Sequence, residues 1–134
     1  MKITVEKLII AQNVANQFKN SMTKFGYACL KSSKLIKDTL EDVLEEISDK
    51  KNELASVDKD GNIVLNEKSE YVYTSENFNK LKKFISNQYK KEVDYNPFFA
   101  SDYSEIKNQL EVLDVLNGVI IDIDLEKQFE SIND

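Results

Sequence analysis

In the stretch DKDGNIVLNE, Asp58, Asp60 and Asn62 stand at positions 1, 3 and 5 of a calcium loop, the spacing at which an EF-hand places its oxygen ligands. The two residues that define such a loop are missing. Position 6, where the chain must turn sharply on glycine, is Ile63, and position 12, where a bidentate glutamate closes the shell, is Ser69. Asp60-Gly61 is also a two-residue turn signal, and Asn62 to Asn66 alternates as a strand does, so the stretch reads as a turn between strands. Asp122 and Asp124 in VIIDIDL are a second pair of carboxylates with the spacing to share a hard cation on one strand face. No third ligand and no phosphate-binding loop accompanies them, and strand alternation alone accounts for both. No metal and no cofactor is expected.

Catalytic groups are also scarce. The chain has no histidine, no tryptophan and no arginine, and all 18 basic residues are lysine. It therefore lacks the usual general base near neutral pH and the commonest transition-metal ligand. It also lacks the planar fork that clamps phosphates and reads guanine edges. Cys29, the single cysteine, lies in an apolar run, where a small buried hydrophobe is expected rather than a nucleophile. With three glycines in all, there is no phosphate-binding or dinucleotide-binding glycine pattern. No catalytic residue is assigned, and an enzyme is not expected.

What remains is charge. Residues 19 to 37 hold Lys19, Lys24, Lys31, Lys34 and Lys37 with no acid, while residues 38 to 53 hold seven acids against Lys50 and Lys51. Lysines near a helix start and acids toward its end run against the helix dipole, at about 0.3 kcal/mol per exposed charge in the end turns. The arrangement is either a solvated face or a two-signed docking rail, with Lys24, Lys31, Lys34 and Lys37 as the partner contacts. From Glu111 to the end there are seven acids against Lys127, which accounts for the whole formal charge of -6. Asp122, Asp124, Glu126 and Glu130 are the candidate contacts of that acidic end. Lys80, Lys82, Lys83, Lys90 and Lys91 interleave with Phe84 and Tyr89, but residues 76 to 95 carry only +2, which argues against nucleic acid.

These residues need elements to hold them. Met1 to Ile3 reads as extended, and Thr4 caps a helix over about 5 to 20, whose stripe is Leu8, Ala11, Ala15, Phe18 and Met22. A short connection leads to a second, long helix over about 26 to 56, with Cys29, Ser33, Ile36, Leu40, Val43, Ile47 and Leu54 in a heptad-like rhythm. The two helices are expected to pair antiparallel, with the far end of the longer one left for something else to cover. A small β-hairpin over 63–65 and 71–73 follows, then a third helix opened by Ser75 and running to about Lys91. Pro97 makes Val93 to Ala100 a strand or extended segment. A fourth helix runs from Ser101 or Ser104 to Leu116, stopped by Gly118, with a strand over Val119 to Leu125. The fold class is α+β, mainly helical. One domain is expected, in three parts: a helical hairpin (1–56), an α+β part (57–125) and an acidic tail (126–134).

Taken together, the opening MKITVEKLIIAQNVANQF, the helix KSSKLIKDTLEDVLEEISDKKNEL, the turn DKDGNIV, and NFNKLKKFISNQYKKEVDY before a leucine-rich end resemble a small uncharacterised family. That family is encoded by tailed phages and prophages of low-GC bacteria. The resemblance covers the chain to about Ile121. The family's usual proline between the first two helices is replaced here by Ser21-Met22-Thr23-Lys24-Phe25. The resemblance implies a phage context and no activity.

The expectation is a non-enzymatic protein-binding module acting in virion assembly or as a minor virion component. The alternative is a phage inhibitor of a host defence enzyme, offering the acidic tail to a basic groove. Its partner would be a phage or host protein, or a second copy through the helical stripe. With no signal peptide and no apolar run near 18 residues, it is expected in the host bacterial cytoplasm or within the virion, neither secreted nor in a membrane.

Overall fold

The structure is a computed structural model that describes residues 1–124 and Lys127. The architecture is α+β and mainly helical. Its elements are β1 (Lys2–Thr4), α1 (Val5–Ala15), α2 (Lys24–Leu54), α3 (Ser75–Lys90), β2 (Glu92–Asp94), a 3-10 turn (Ser104–Ile106) and α4 (Leu110–Leu116). The chain gathers into two compact units. Unit 1 is Met1–Thr39 with the chain from Glu92 onward, and unit 2 is Leu40–Lys91. Of the expected tail over 126–134, only Lys127 lies within the described residues.

In unit 1, β1 and β2 pair antiparallel with Ile3 opposite Val93, joining segments about ninety positions apart. The pairing extends by one step, because the amino terminus of Met1 donates to the Tyr95 carbonyl at 2.9 Å and the Tyr95 amide donates back at 2.9 Å. α1 then starts at once. Thr4 is extended and its hydroxyl accepts from the Lys7 amide at 3.2 Å, the N-cap expected of it. Val5, Leu8, Ala11 and Ala15 are buried at helical spacing.

The turns of α1 end five residues early, at Ala15, because Asn16 to Asn20 form successive turns instead. Phe18 is held by stacking on Phe25, with ring centroids 5.3 Å apart. Met22, expected in the stripe, is fully exposed. Extending a helical period past the helix end put it on the wrong side. The chain does fold back as expected: Gln12 Nε2 donates to the Ser33 carbonyl at 3.1 Å, and Ser33 Oγ donates to Asn16 Oδ1 at 2.8 Å. The backbone of α1 nevertheless lies closest to α4, which buries Leu113 and Leu116.

α2 opens on Thr23, whose hydroxyl accepts from the Gly26 amide at 2.9 Å. Gly26 is required there, since a Cβ would fall 2.1 Å from the Ser21 carbonyl oxygen. Of the heptad-like stripe, Cys29, Ile36, Leu40, Ile47 and Leu54 are buried. Those positions are covered within the chain, while Ser33 and Val43 of the same stripe are half-buried.

The expected strand over Val119 to Leu125 is not formed over its described residues. Gly118, at φ +84°, reverses the chain, and Val119, Ile120 and Ile121 are all fully buried, so there is no inward and outward alternation. The Leu116 carbonyl accepts from the amides of Val119, Ile120 and Ile121 at 3.0, 2.9 and 3.2 Å. Three consecutive β-branched residues thus plug the core as a tight turn rather than a ladder. Leu125 lies outside the described residues. The fourth helix is likewise shorter than expected, with only a 3-10 turn at Ser104 before α4 begins at Leu110.

In unit 2, α3 runs antiparallel to the distal part of α2. Asn77 Nδ2 donates to the Leu54 carbonyl at 3.1 Å, Lys50 Nζ sits 5.5 Å from the Phe84 ring centre, and Lys91 lies 3.8 Å from Glu46. α3 is thus the cover the far end of α2 needed. Its N-cap is Thr74, which accepts from the Asn77 amide at 3.1 Å, one residue before the expected Ser75. The small hairpin is reduced to single bridges, Val57 to Ile63 and Leu65 to Tyr71.

Each bridge closes a five-residue turn, and the two turns are alike. The side-chain oxygen of Asp58 accepts from the amides of Asp60 and Asn62 at 2.9 and 3.0 Å, and that of Asn66 from Lys68 and Glu70 at 2.8 and 3.0 Å. The fourth residue has positive φ in both, Gly61 at 81° and Ser69 at 62°. The same turn thus recurs eight residues on, with Asp and Asn sharing one role.

Candidate interaction surface

The chain between α1 and α2 and the chain after β2 meet on one side of unit 1, where they form a groove of about 750 Å³. Its apolar lining comes from Met22 in the connection, Tyr27 and Leu30 on the first turns of α2, and Phe98 and Phe99 after Pro97. Several of these are far from the core: Met22 is 100 % exposed, Tyr27 59 % and Phe99 39 %. Adjacent large apolar side chains left in water mark surfaces that bind other molecules.

Local chemistry explains why they are held there. Pro97 keeps Asn96 extended, which carries the chain past α2 instead of into a helix. The Ser32 hydroxyl, buried on α2, donates to the Phe98 carbonyl at 3.4 Å, and the Ala100 amide donates to the Ile120 carbonyl at 2.7 Å. With its backbone pinned at both points, Phe98 lies edge-on to Tyr27, centroids 6.2 Å apart at 82°. Lys31 Nζ sits 4.1 Å from the centre of the Phe98 ring, a cation–π contact. The Phe98 ring is thus positioned by one aromatic and one lysine of α2.

The charge around the groove is lysine. Lys19 and Lys24 line it, Lys31 reaches it through Phe98, and among the described residues no acid lines it. Below it, Glu105 braces the start of α2, accepting from the hydroxyls of Ser21 and Thr23. A carboxylate there complements the helix N-terminus. Asp102, close by, is held below the usual carboxylate range by hydrogen bonds from Ser104 and, less, by the Lys24 charge. Lys24 is thereby partly balanced, whereas Lys19, Lys31, Lys34 and Lys37 have no ion pair among the described residues.

The expected contact residues are distributed unequally. Lys24 lines the groove and Lys31 meets it only through the Phe98 ring; Lys34 and Lys37 are exposed further along α2 and do not line it. Asp122 and Asp124 are exposed just after the Val119–Ile121 plug, also outside the groove, and the Asp124 carboxylate accepts from the Lys127 amide at 3.3 Å. Glu126 and Glu130 lie outside the described residues. Met22, Tyr27, Leu30, Phe98 and Phe99 were not among the expected contacts. The signal was present in Asn96-Pro97-Phe98-Phe99, two aromatics straight after a proline with no period to bury both.

Neither the turn at Asp58 nor Cys29 adds a reactive centre. The Asp58 oxygen that an EF-hand would aim at calcium is occupied by two amides of its own turn. Among the described residues no cluster of three or more acidic, cysteine or histidine side chains is placed to hold a metal. The Cys29 thiol is fully buried and pushed up to about 12, by burial first and then by the Glu105 charge, which leaves it protonated and inert at neutral pH. No described helix is long and apolar enough to cross a membrane. No family profile matches this chain, and no curated protein or solved structure does so either.

Proposed function

We propose that this chain is a non-enzymatic protein-binding module, encoded by a phage and acting in virion assembly or as a minor virion component, and that the lysine-rimmed groove of unit 1 is where it binds. One observation carries the reading: Met22, Tyr27, Leu30 and Phe99 are large apolar side chains left in water around a single groove, beside Phe98. Interface cores are enriched in such aromatic and methionine residues, and a methionine can refit itself to different contours. The inert thiol and the absence of histidine from the chain support binding over bond-making. The phage setting rests on the sequence resemblance.

The second reading, inhibition of a host defence enzyme through the acidic tail, draws no observation from the described residues.

A photoreactive amino acid in place of Tyr27, expressed in a phage-producing host, tests the proposal. The expected product is a cross-link to a virion protein or assembly intermediate that disappears when Met22 and Phe99 are both changed to Ser. Cross-linking that survives those changes, or none to any phage protein, would overturn it.

A further inference from the structure

A partner for this groove must bring an apolar side chain to sit among Met22, Tyr27 and Leu30, and carboxylates to reach Lys19, Lys24 and Lys31. This chain carries such a face itself. On α2, Glu41, Leu44, Glu45 and Ser48 follow the i, i+3, i+4, i+7 spacing of one helix side. Leu44 is 42 % exposed in their midst. Of the acids along this part of α2, Glu46 is paired with Lys91 and Glu53 with Lys50. Glu41, Asp42, Glu45 and Asp49 have no ion pair among the described residues. One chain thus holds an apolar groove bordered by Lys19, Lys24 and Lys31 and an exposed leucine flanked by carboxylates that form no ion pair among the described residues.

We infer that the groove of one copy takes the Leu44 face of a second copy. The inference rests on the groove being a protein-binding surface and names its occupant. Leu44 supplies the apolar plug, and Glu41 and Glu45 meet Lys24 and Lys31. Complementary charge steers the encounter and sets the register, while the apolar contact excludes water. If the exchange is mutual the product is a closed two-fold dimer, and if it is not the copies add head to tail, so either form carries the same contact.

Sedimentation velocity of the full chain, at low salt and at about 1 M salt where screening reaches within about 3 Å, tests this. Concentration-dependent association is expected at low salt, and the monomer at high salt. Lys24→Glu with Lys31→Glu yields a monomer, as does Glu41→Lys with Glu45→Lys, and mixing the two variants restores association. All four positions are exposed, and unchanged helical circular dichroism shows that each variant is folded.

Because Cys29 is buried, single introduced cysteines report the contact. Mixed K24C and E45C proteins form a disulfide-linked pair, whereas K83C with E45C does not. A monomer at every concentration, association indifferent to these charges, or mixed variants that stay apart would overturn the inference. So would a chain that stays monomeric while binding anionic phosphatidylglycerol vesicles or a single-stranded oligonucleotide. If Tyr27 cross-links a virion protein while the chain stays monomeric, the self-contact fails and the binding reading stands. If neither partner reaches Tyr27, both fail.

Discussion

Unit 1 closes its core with residues that are wholly out of water: Val5, Leu8, Cys29, Ile36, Ile106, Leu116 and the run Val119–Ile121. Unit 2, 52 residues from Leu40 to Lys91, buries Leu40, Ile47, Leu54, Ala55, Leu81 and the amide of Gln88. It leaves Leu44, Val57, Leu65, Val72 and Phe78 at least one-third exposed. The difference shows in what holds the backbone. Unit 1 has a strand pair and a three-amide turn around one carbonyl, whereas unit 2 relies on a helix pair and two side-chain-capped turns. A stretch of that size seldom draws more than about 3–5 kcal/mol from its own core. Unit 2 is therefore the part expected to open first, and unit 1 the part whose surface can present a groove of fixed shape.

The sharpest way to break that contrast is in the cores. Ile120→Ala should cost about 4–5 kcal/mol, the upper end for such truncations, because its neighbours on both sides are buried and cannot collapse onto the gap. Ile47→Ala in unit 2, where exposed side chains can resettle, should cost about 2 kcal/mol. Urea denaturation of both variants measures this, and equal losses would remove the distinction.

Gly26→Ala comes next. The helix gains about 1 kcal/mol from alanine. The new methyl group must push the Ser21 carbonyl aside, a backbone shift of the kind that costs about 1–3 kcal/mol, so a net loss is expected. A stabilised variant would show that the start of α2 is looser than described.

Gln88→Met should act in the opposite direction. The Gln88 Oε1 atom is buried with no hydrogen-bond partner among the described residues, so an apolar side chain of similar size should add about 1 kcal/mol to unit 2. Hydrogen exchange of α3 amides would report it as slower local opening, and faster exchange would count against an orphaned amide.

Near neutral pH the smallest effect is that of Cys29, whose thiol stays protonated there. A thiol is neutral when protonated, and its folded pKa of about 12 lies above the ordinary 9.0. Its contribution to stability is therefore complete below about pH 9 and is lost as pH rises through 12. Thiol labelling at pH 8 should be slow and should track unfolding. Immediate labelling would mean that the site opens without it.

How much of this was legible in advance varies along the chain. Thr4, with Glu6 behind it, marks a helix start by its own chemistry, and the cap is found where the residue types place it. The stripe from Cys29 to Leu54 needs no distant partner to be recognised, because 31 residues of one helix repeat the pattern. The strand expected at Val119 failed for the opposite reason. Val119-Ile120-Ile121 looks the same whether its amides bond to a neighbouring strand or to a carbonyl three residues back, and Gly118 decides between them. The groove was illegible for a third reason. Met22 and Phe98 are apolar residues, and apolar residues are assigned to cores unless a fold exposes them.

By itself the sequence determined which helices form, where two of them start, and which chemistry is out of reach, since absent imidazole and guanidinium groups cannot be supplied by folding. Those are properties of residue type and of neighbours within a turn or two. Only the tertiary structure decided that Ile3 finds Val93, that α3 covers the far end of α2, and that Lys31 meets Phe98 beside an exposed methionine. Contacts between distant positions depend on how all the local pieces pack together, and no local pattern encodes that.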